Sequence, residues 1–222
     1  MDWSLAISRN REQLRQIVLS LFTLAGMRVG GSLFTVPPVV LSAIMLVLRP
    51  AESAVRRLII LAAHGLALKP EARRDAPLIP STGSAAMPLR AFPLFDPLKS
   101  FDGENLWDQA SHAFGSAVQP FGRLAAGQAA IAGPKPVDAK RIGLRLNALM
   151  RALDDLPRQA RRLVRWQAKR DALLKAQRPT RISPIRPGLP PGWRQRKIHQ
   201  IDTVLRECHG LANDVLNALD TS

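Results

Sequence analysis

Twenty consecutive residues without a formal charge, Val29 to Leu48, constrain this chain more than any other feature. An apolar helix of that length crosses a bilayer. Pro37-Pro38 lies near the middle, removes two amide donors and disfavours a helical residue just before it. Two outcomes stay open. In one the stretch is a kinked transmembrane helix, because bundled spans tolerate proline. In the other Val29 to Val36 is a connector and a buried core helix runs from Val39 to Leu48. For a span, Arg9, Arg11, Arg15 and Arg28 precede it. Arg49, Arg56, Arg57, Lys69, Arg73, Arg74 and a later basic block follow. The heavier positive load predicts an inner-membrane protein with its C-terminal part cytoplasmic; a core helix predicts a cytoplasmic protein. A cleaved signal peptide fits less well, since the apolar core Ile17 to Met27 is short and no small-x-small site follows cleanly.

The neighbouring segments read as helices. Asp2 is placed to cap a helix from Trp3 whose apolar face is Leu14, Ile17, Val18, Leu21, Leu24 and Ala25. Gly26, Gly30 and Gly31 break or bend it. Pro50 is expected to open a further helix to about Leu68, and Leu58 to Leu61 make that helix apolar nearly all round, which requires burial against a partner.

No run alternates β-branched and polar residues, and tyrosine is absent, so the fold class is all-α. Between Pro70 and Pro136 nine prolines recur among Gly, Ser and Ala, and no amphipathic period survives two turns. The expected division is residues 1–70, an apolar helical segment with a membrane-inserted option; 71–136, a flexible, disordered Pro/Gly-rich linker; and 137–222, a basic antiparallel helical hairpin. One island interrupts the linker, Ala91-Phe92-Pro93-Leu94-Phe95-Asp96-Pro97-Leu98-Lys99-Ser100-Phe101. It either docks a partner or clasps back onto the helices.

The hairpin is predicted from two heptad seams. Ile142, Leu146, Leu149, Leu153, Leu156, Ala160 and Leu163 form one; Ile198, Ile201, Leu205, Cys208, Ala212, Val215 and Leu219 form the other. Asp138 is expected to cap the first helix. Asp154-Asp155-Leu156-Pro157 should break it, with an aspartate capping the continuation.

The net charge is +15, and residues 134–200 hold 18 Lys and Arg against 4 Asp, so +14 of it lies there. Such a field attracts polyanions. On the helix after Pro157, Arg158, Arg161, Arg162, Arg165 and Lys169 share one face opposite the apolar stripe. Like charges at that spacing weaken a helix, so an external anion is the natural reason for them. The Pro-rich strand that follows adds Arg181, Arg186 and Arg194, with Trp193 beside them. These could follow phosphates and stack a base, or lie at a headgroup boundary. The eight cations are the candidate anion-binding residues. The expected partner is an anionic membrane surface or an acidic protein, with nucleic acid as the alternative.

Catalytic constellations are lacking: the sequence has no phosphate-cradling glycine loop, serine elbow or histidine–glutamate helix motif. The single cysteine, Cys208, falls on an apolar seam and reads as structural; the four histidines lie too far apart for a local ligand motif. No cofactor or metal is expected. The segments Pro50 to Ile59, Leu94 to Pro97, Asp155 to Leu163 and Arg186 to Gly192 resemble those of a family of basic, Pro/Arg-rich alphaproteobacterial proteins of unknown function. The resemblance implies a bacterial setting and no site. Together these features predict a non-enzymatic, membrane-associated scaffold or interaction protein, or else a soluble nucleic-acid-binding protein.

Overall fold

The computed structural model describes residues 3–64, 66, 91–97, 136–178, 180 and 183–220. Mostly helical, as expected, it comprises α1 (Trp3–Leu24), α2 (Pro38–Ala63), α3 (Lys140–Asp154), α4 (Leu156–Lys175) and α5 (Gln200–Asp220). A two-residue ribbon pairs β1 (Thr35–Val36) antiparallel to β2 (Val137–Asp138).

α1 buries Leu14, Ile17, Val18, Leu21 and Phe22, a stripe at helical period. It stops in a Schellman motif. Gly26 sits at φ 66, its amide donates to the Thr23 carbonyl at 3.0 Å, and the Met27 amide donates to Phe22 at 3.1 Å. Residues 27–37 then form the connector that the double proline implied, and Pro38 starts α2 in the first helical turn, where a missing N–H costs nothing.

α2 departs from expectation. It does not end before Pro50 but runs through it to Ala63. Proline there leaves the Leu46 carbonyl without its helical donor. The Arg194 guanidinium fills that vacancy, donating to the Leu46 oxygen. Gly192, at φ +81, carries the loop so close that an added Cβ would lie 2.7 Å from the Pro50 nitrogen and 2.8 Å from its Cδ. The helix survives its proline because another part of the chain supplies the missing bond.

Every residue of α2 from Pro50 to Leu61 is buried. α1, α3, α4 and α5 all pack on α2. This corrects the predicted hairpin. Leu146, Leu149, Leu153, Leu156, Ala160 and Leu163 are buried as one seam and Ile201, Leu205, Cys208, Ala212 and Val215 as the other, yet α4 and α5 pack chiefly on α2. Buried nearly all round from Pro50 to Leu61, α2 gives both seams a surface to pack against. Ile198 falls before α5 and stays 53% exposed.

Described residues from all three expected segments contribute to one core, which runs from Leu14 through Phe92 and Leu94 to Val215. The ribbon ties the α1–α2 connector to the start of α3, helped by the Ala139 amide donating to Phe34 at 2.8 Å. The sharp break between α3 and α4 is as predicted: Asp155 caps α4 by accepting from the Arg158 amide at 3.1 Å. At the start of α3, Asp138 accepts from the Lys140 amide at 2.9 Å. Within the island, residues 91–97 clasp back, burying Phe92, Leu94 and Asp96. The remainder of the predicted disordered linker, up to residue 135, lies outside the described residues.

Gly192→Ala should destabilise the fold by about 2 kcal/mol or more, because it combines a disfavoured φ with overpacking against backbone. Gly188→Ala shares the positive φ (+79) but meets nothing within 4 Å. Urea unfolding of the two variants should therefore show a clearly larger loss at Gly192; equal losses would mean that the Pro50 contact contributes nothing.

Candidate anion-binding face and the charge network beneath it

The eight cations singled out in the sequence separate into three groups. Arg158, Arg161, Arg165 and Lys169 are exposed together along α4. Their helix holds one carboxylate, Asp171, and that is engaged by Arg170 at 2.7 Å. The upstream aspartates are also occupied: Asp154 pairs with Arg15 at 3.2 Å and Asp155 caps α4.

The second group is committed to the fold. Arg162 is half-buried, donating to the Phe92 carbonyl at 3.3 Å and to the Gln159 side chain. Arg186 donates from Nε to the Leu189 carbonyl at 3.0 Å. Arg194 braces α2, and its Nη1 meets both carboxylate oxygens of the buried Asp202, at 3.0 and 3.2 Å. Each of these three guanidinium groups brings part of its donor set to an acceptor within the fold. The third group is Arg181 alone, which lies outside the described residues.

Trp193, for which base stacking is one of the readings left open by the sequence, packs within the fold. Its ring meets His209 edge-on at 5.7 Å, and the Arg206 guanidinium lies 4.7 Å from its centroid. Trp166 on α4 packs edge-on against Phe95 at 4.9 Å.

Beneath the α4 face runs a buried ionic network that the sequence did not disclose. Asp96 accepts from Arg56 Nη1 and Arg57 Nη2, both at 3.1 Å, and all three side chains are 5% exposed or less. Arg57 also donates to the Ser53 carbonyl and hydroxyl at 3.0 and 2.7 Å, and from Nε to His209 Nδ1 at 3.2 Å. Glu52 takes a bidentate pair from Arg145 of α3 at 2.8 and 2.9 Å and lies 3.6 Å from Arg56. The network thus links α2 to α3, α5 and the 91–97 clasp. Signals existed: Glu52, Arg56 and Arg57 interrupt an otherwise apolar helix, and Asp96 sits among phenylalanines. A buried charge demands a counter-charge, but the sequence does not say which one.

No family model, no curated protein and no solved structure matches the chain. Burial pushes the Cys208 thiol up to about 12, which keeps it protonated and poorly nucleophilic at neutral pH. Among the described residues no group of three His, Cys, Asp or Glu is placed to hold a metal. What the site offers is fixed positive charge on a rigid helix.

Asp96→Asn keeps the shape but leaves Arg56 and Arg57 without their shared counter-charge, and should cost about 3–5 kcal/mol. Asp138→Asn, at an exposed position, should stay within about 0.5 kcal/mol. Thermal or urea unfolding checks the pair; similar losses would mean the network is energetically idle.

His209 titrates below its ordinary value of 6.5, chiefly through burial and then through Arg57, with Asp96 opposing; burial lowers His199 as well. The unfolded chain therefore takes up protons first. Stability is complete above pH 6.5 and falls as pH drops toward the folded values. The urea midpoint should decline between pH 7 and 5.5, and His209→Gln should flatten part of that slope.

Proposed function

We propose that this protein is a non-enzymatic interaction protein that works at an anionic membrane surface, with α4 as its headgroup-binding element. The observation that carries the proposal is the row Arg158, Arg161, Arg165 and Lys169, all exposed along α4. A cation held near an anionic leaflet is worth about 1 kcal/mol, so four acting together supply roughly 4 kcal/mol before any apolar contact.

Two further observations favour lipid over nucleic acid. Beyond the bundle, the last turn of α4 exposes Leu174 (45%) next to Lys175, a mixture that suits the headgroup–acyl boundary and that a phosphate backbone would leave unused. The stacking element of the nucleic-acid alternative, Trp193 with Arg194, is tied into the fold. α2 is long and apolar enough to cross a membrane by length and composition alone. In the folded bundle it is the central core helix, and its Arg56 and Arg57 are paired internally. Membrane association is thus peripheral in this state. In the bacterial setting that the resemblance implies, the surface is the cytoplasmic face of the inner membrane, where anionic lipid and positive protein segments coincide. An acidic protein at that surface would be held by the same face.

Co-sedimentation with vesicles of 30% phosphatidylglycerol in phosphatidylcholine tests the proposal. Partition should fall steeply with salt and be lost in pure phosphatidylcholine. Arg158→Gln, Arg161→Gln, Arg165→Gln and Lys169→Gln combined should weaken it roughly 10²–10³-fold, four cations at about 1 kcal/mol each being partly screened. Binding of a 20-base-pair duplex at a salt concentration where vesicles are ignored would put the nucleic-acid reading in its place.

A further inference from the structure

We infer that the end of the bundle built from residues 28–39 and the β ribbon is a second membrane contact, an apolar tip rimmed by cations that enters the surface of an anionic bilayer. The inference rests on the membrane reading above but on different residues.

The uncharged run divides in two. Its second half becomes the first turns of α2; its first half, with the ribbon, projects apolar side chains outward. Phe34 is 63% exposed, Val29 52%, Val39 51% and Val137 39%. Backbone pairing holds them together: Val36 is registered with Val137, and the Phe34 carbonyl accepts from Ala139. Val29 is held from the side, since Asn147 of α3 accepts from the Gly30 amide and donates to the Gly31 carbonyl, both at 2.8 Å. The backbone of the tip is therefore pinned, and apolar groups exposed on a pinned backbone mark a contact surface.

Charge identifies the occupant. Arg28, Lys140 and Arg141 are exposed around the tip, and Lys140 Nζ lies 5.8 Å from the Phe34 ring centroid. Asp138 is the one carboxylate among residues 25–41 and 136–145, and its Oδ1 caps Lys140. A second copy of the chain would bring three cations against three. Anionic headgroups complement them while the acyl boundary takes Phe34 and the valines, with long cationic side chains reaching back to the phosphates.

A Val29→Cys variant labelled with an environment-sensitive fluorophore reports on the tip, since native Cys208 is buried and unreactive. With 30% phosphatidylglycerol vesicles the label should brighten severalfold and shift to the blue. Phe34→Ser with Val137→Ser, both at exposed positions, should leave the melting temperature and heparin retention unchanged and reduce vesicle partition at least tenfold. Unchanged partition, with loss only in the α4 charge variant, overturns the tip and leaves the α4 reading standing. Failure of the wild-type protein to bind any vesicle overturns both. Should the double variant instead turn a dimer into a monomer at constant vesicle binding, the tip is a self-association surface and the inference falls.

Discussion

Arg57 lies fully buried in the middle of α2, and a guanidinium can stay there only because Asp96 meets it and Arg56 with one carboxylate. Burial drives the Arg57 pKa down while Asp96 opposes the shift. The consequences spread outward from that contact. Satisfying Arg57 fixes His209 on α5, and satisfying Asp96 fixes the 91–97 clasp, whose Asp96 amide donates to Pro184 at 3.0 Å. Removing one charge would leave the others desolvated without compensation. Segments separated by long stretches of chain are thereby held to a single arrangement, which apolar packing alone specifies less sharply.

The features legible in the sequence were those that depend on nearest neighbours. Gly26 ended α1, the double proline started α2, and Asp155 capped α4, because each is settled within one helical turn. The seams of α3–α4 and α5 were legible as buried faces too. Their partner was not, since periodicity reports which side of a helix avoids water and nothing about what covers it. Pro50 illustrates the same limit. Its effect on α2 hinged on whether a distant donor could reach the Leu46 carbonyl, and Arg194 stands 148 residues away. Asp96 was hidden for a related reason: inside a proline-spaced island, a carboxylate looks the same whether solvated or buried.

The candidate site shows how the sorting of charge by structure alters a functional reading. All eight basic positions were equivalent when judged by composition. Once folded, Arg162, Arg186 and Arg194 direct their protons at carbonyls, an amide and a carboxylate within the chain. Arg158, Arg161, Arg165 and Lys169 stand on the face of α4 turned from the core. Uncompensated charge in the sequence is therefore a poor guide to exposed charge on the surface. Composition counts carboxylates, and the backbone carbonyls that accept from arginine are invisible to it.

The same sorting bears on how α2 can relate to a membrane. To span, the helix would have to leave α1, α4 and α5 and carry Glu52, Arg56 and Arg57 toward hydrocarbon, where each charge costs several kcal/mol. In the bundle those groups are neutralised within hydrogen-bond distance and the stretch from Pro50 to Leu61 is already buried. The folded state is thus the cheaper place for α2 by both terms, electrostatic and hydrophobic. At the tip and at the end of α4, exposed apolar groups lie close in the chain to exposed cations. A bundle that keeps its longest apolar helix inside and presents short apolar edges flanked by Lys and Arg can meet a bilayer without unfolding.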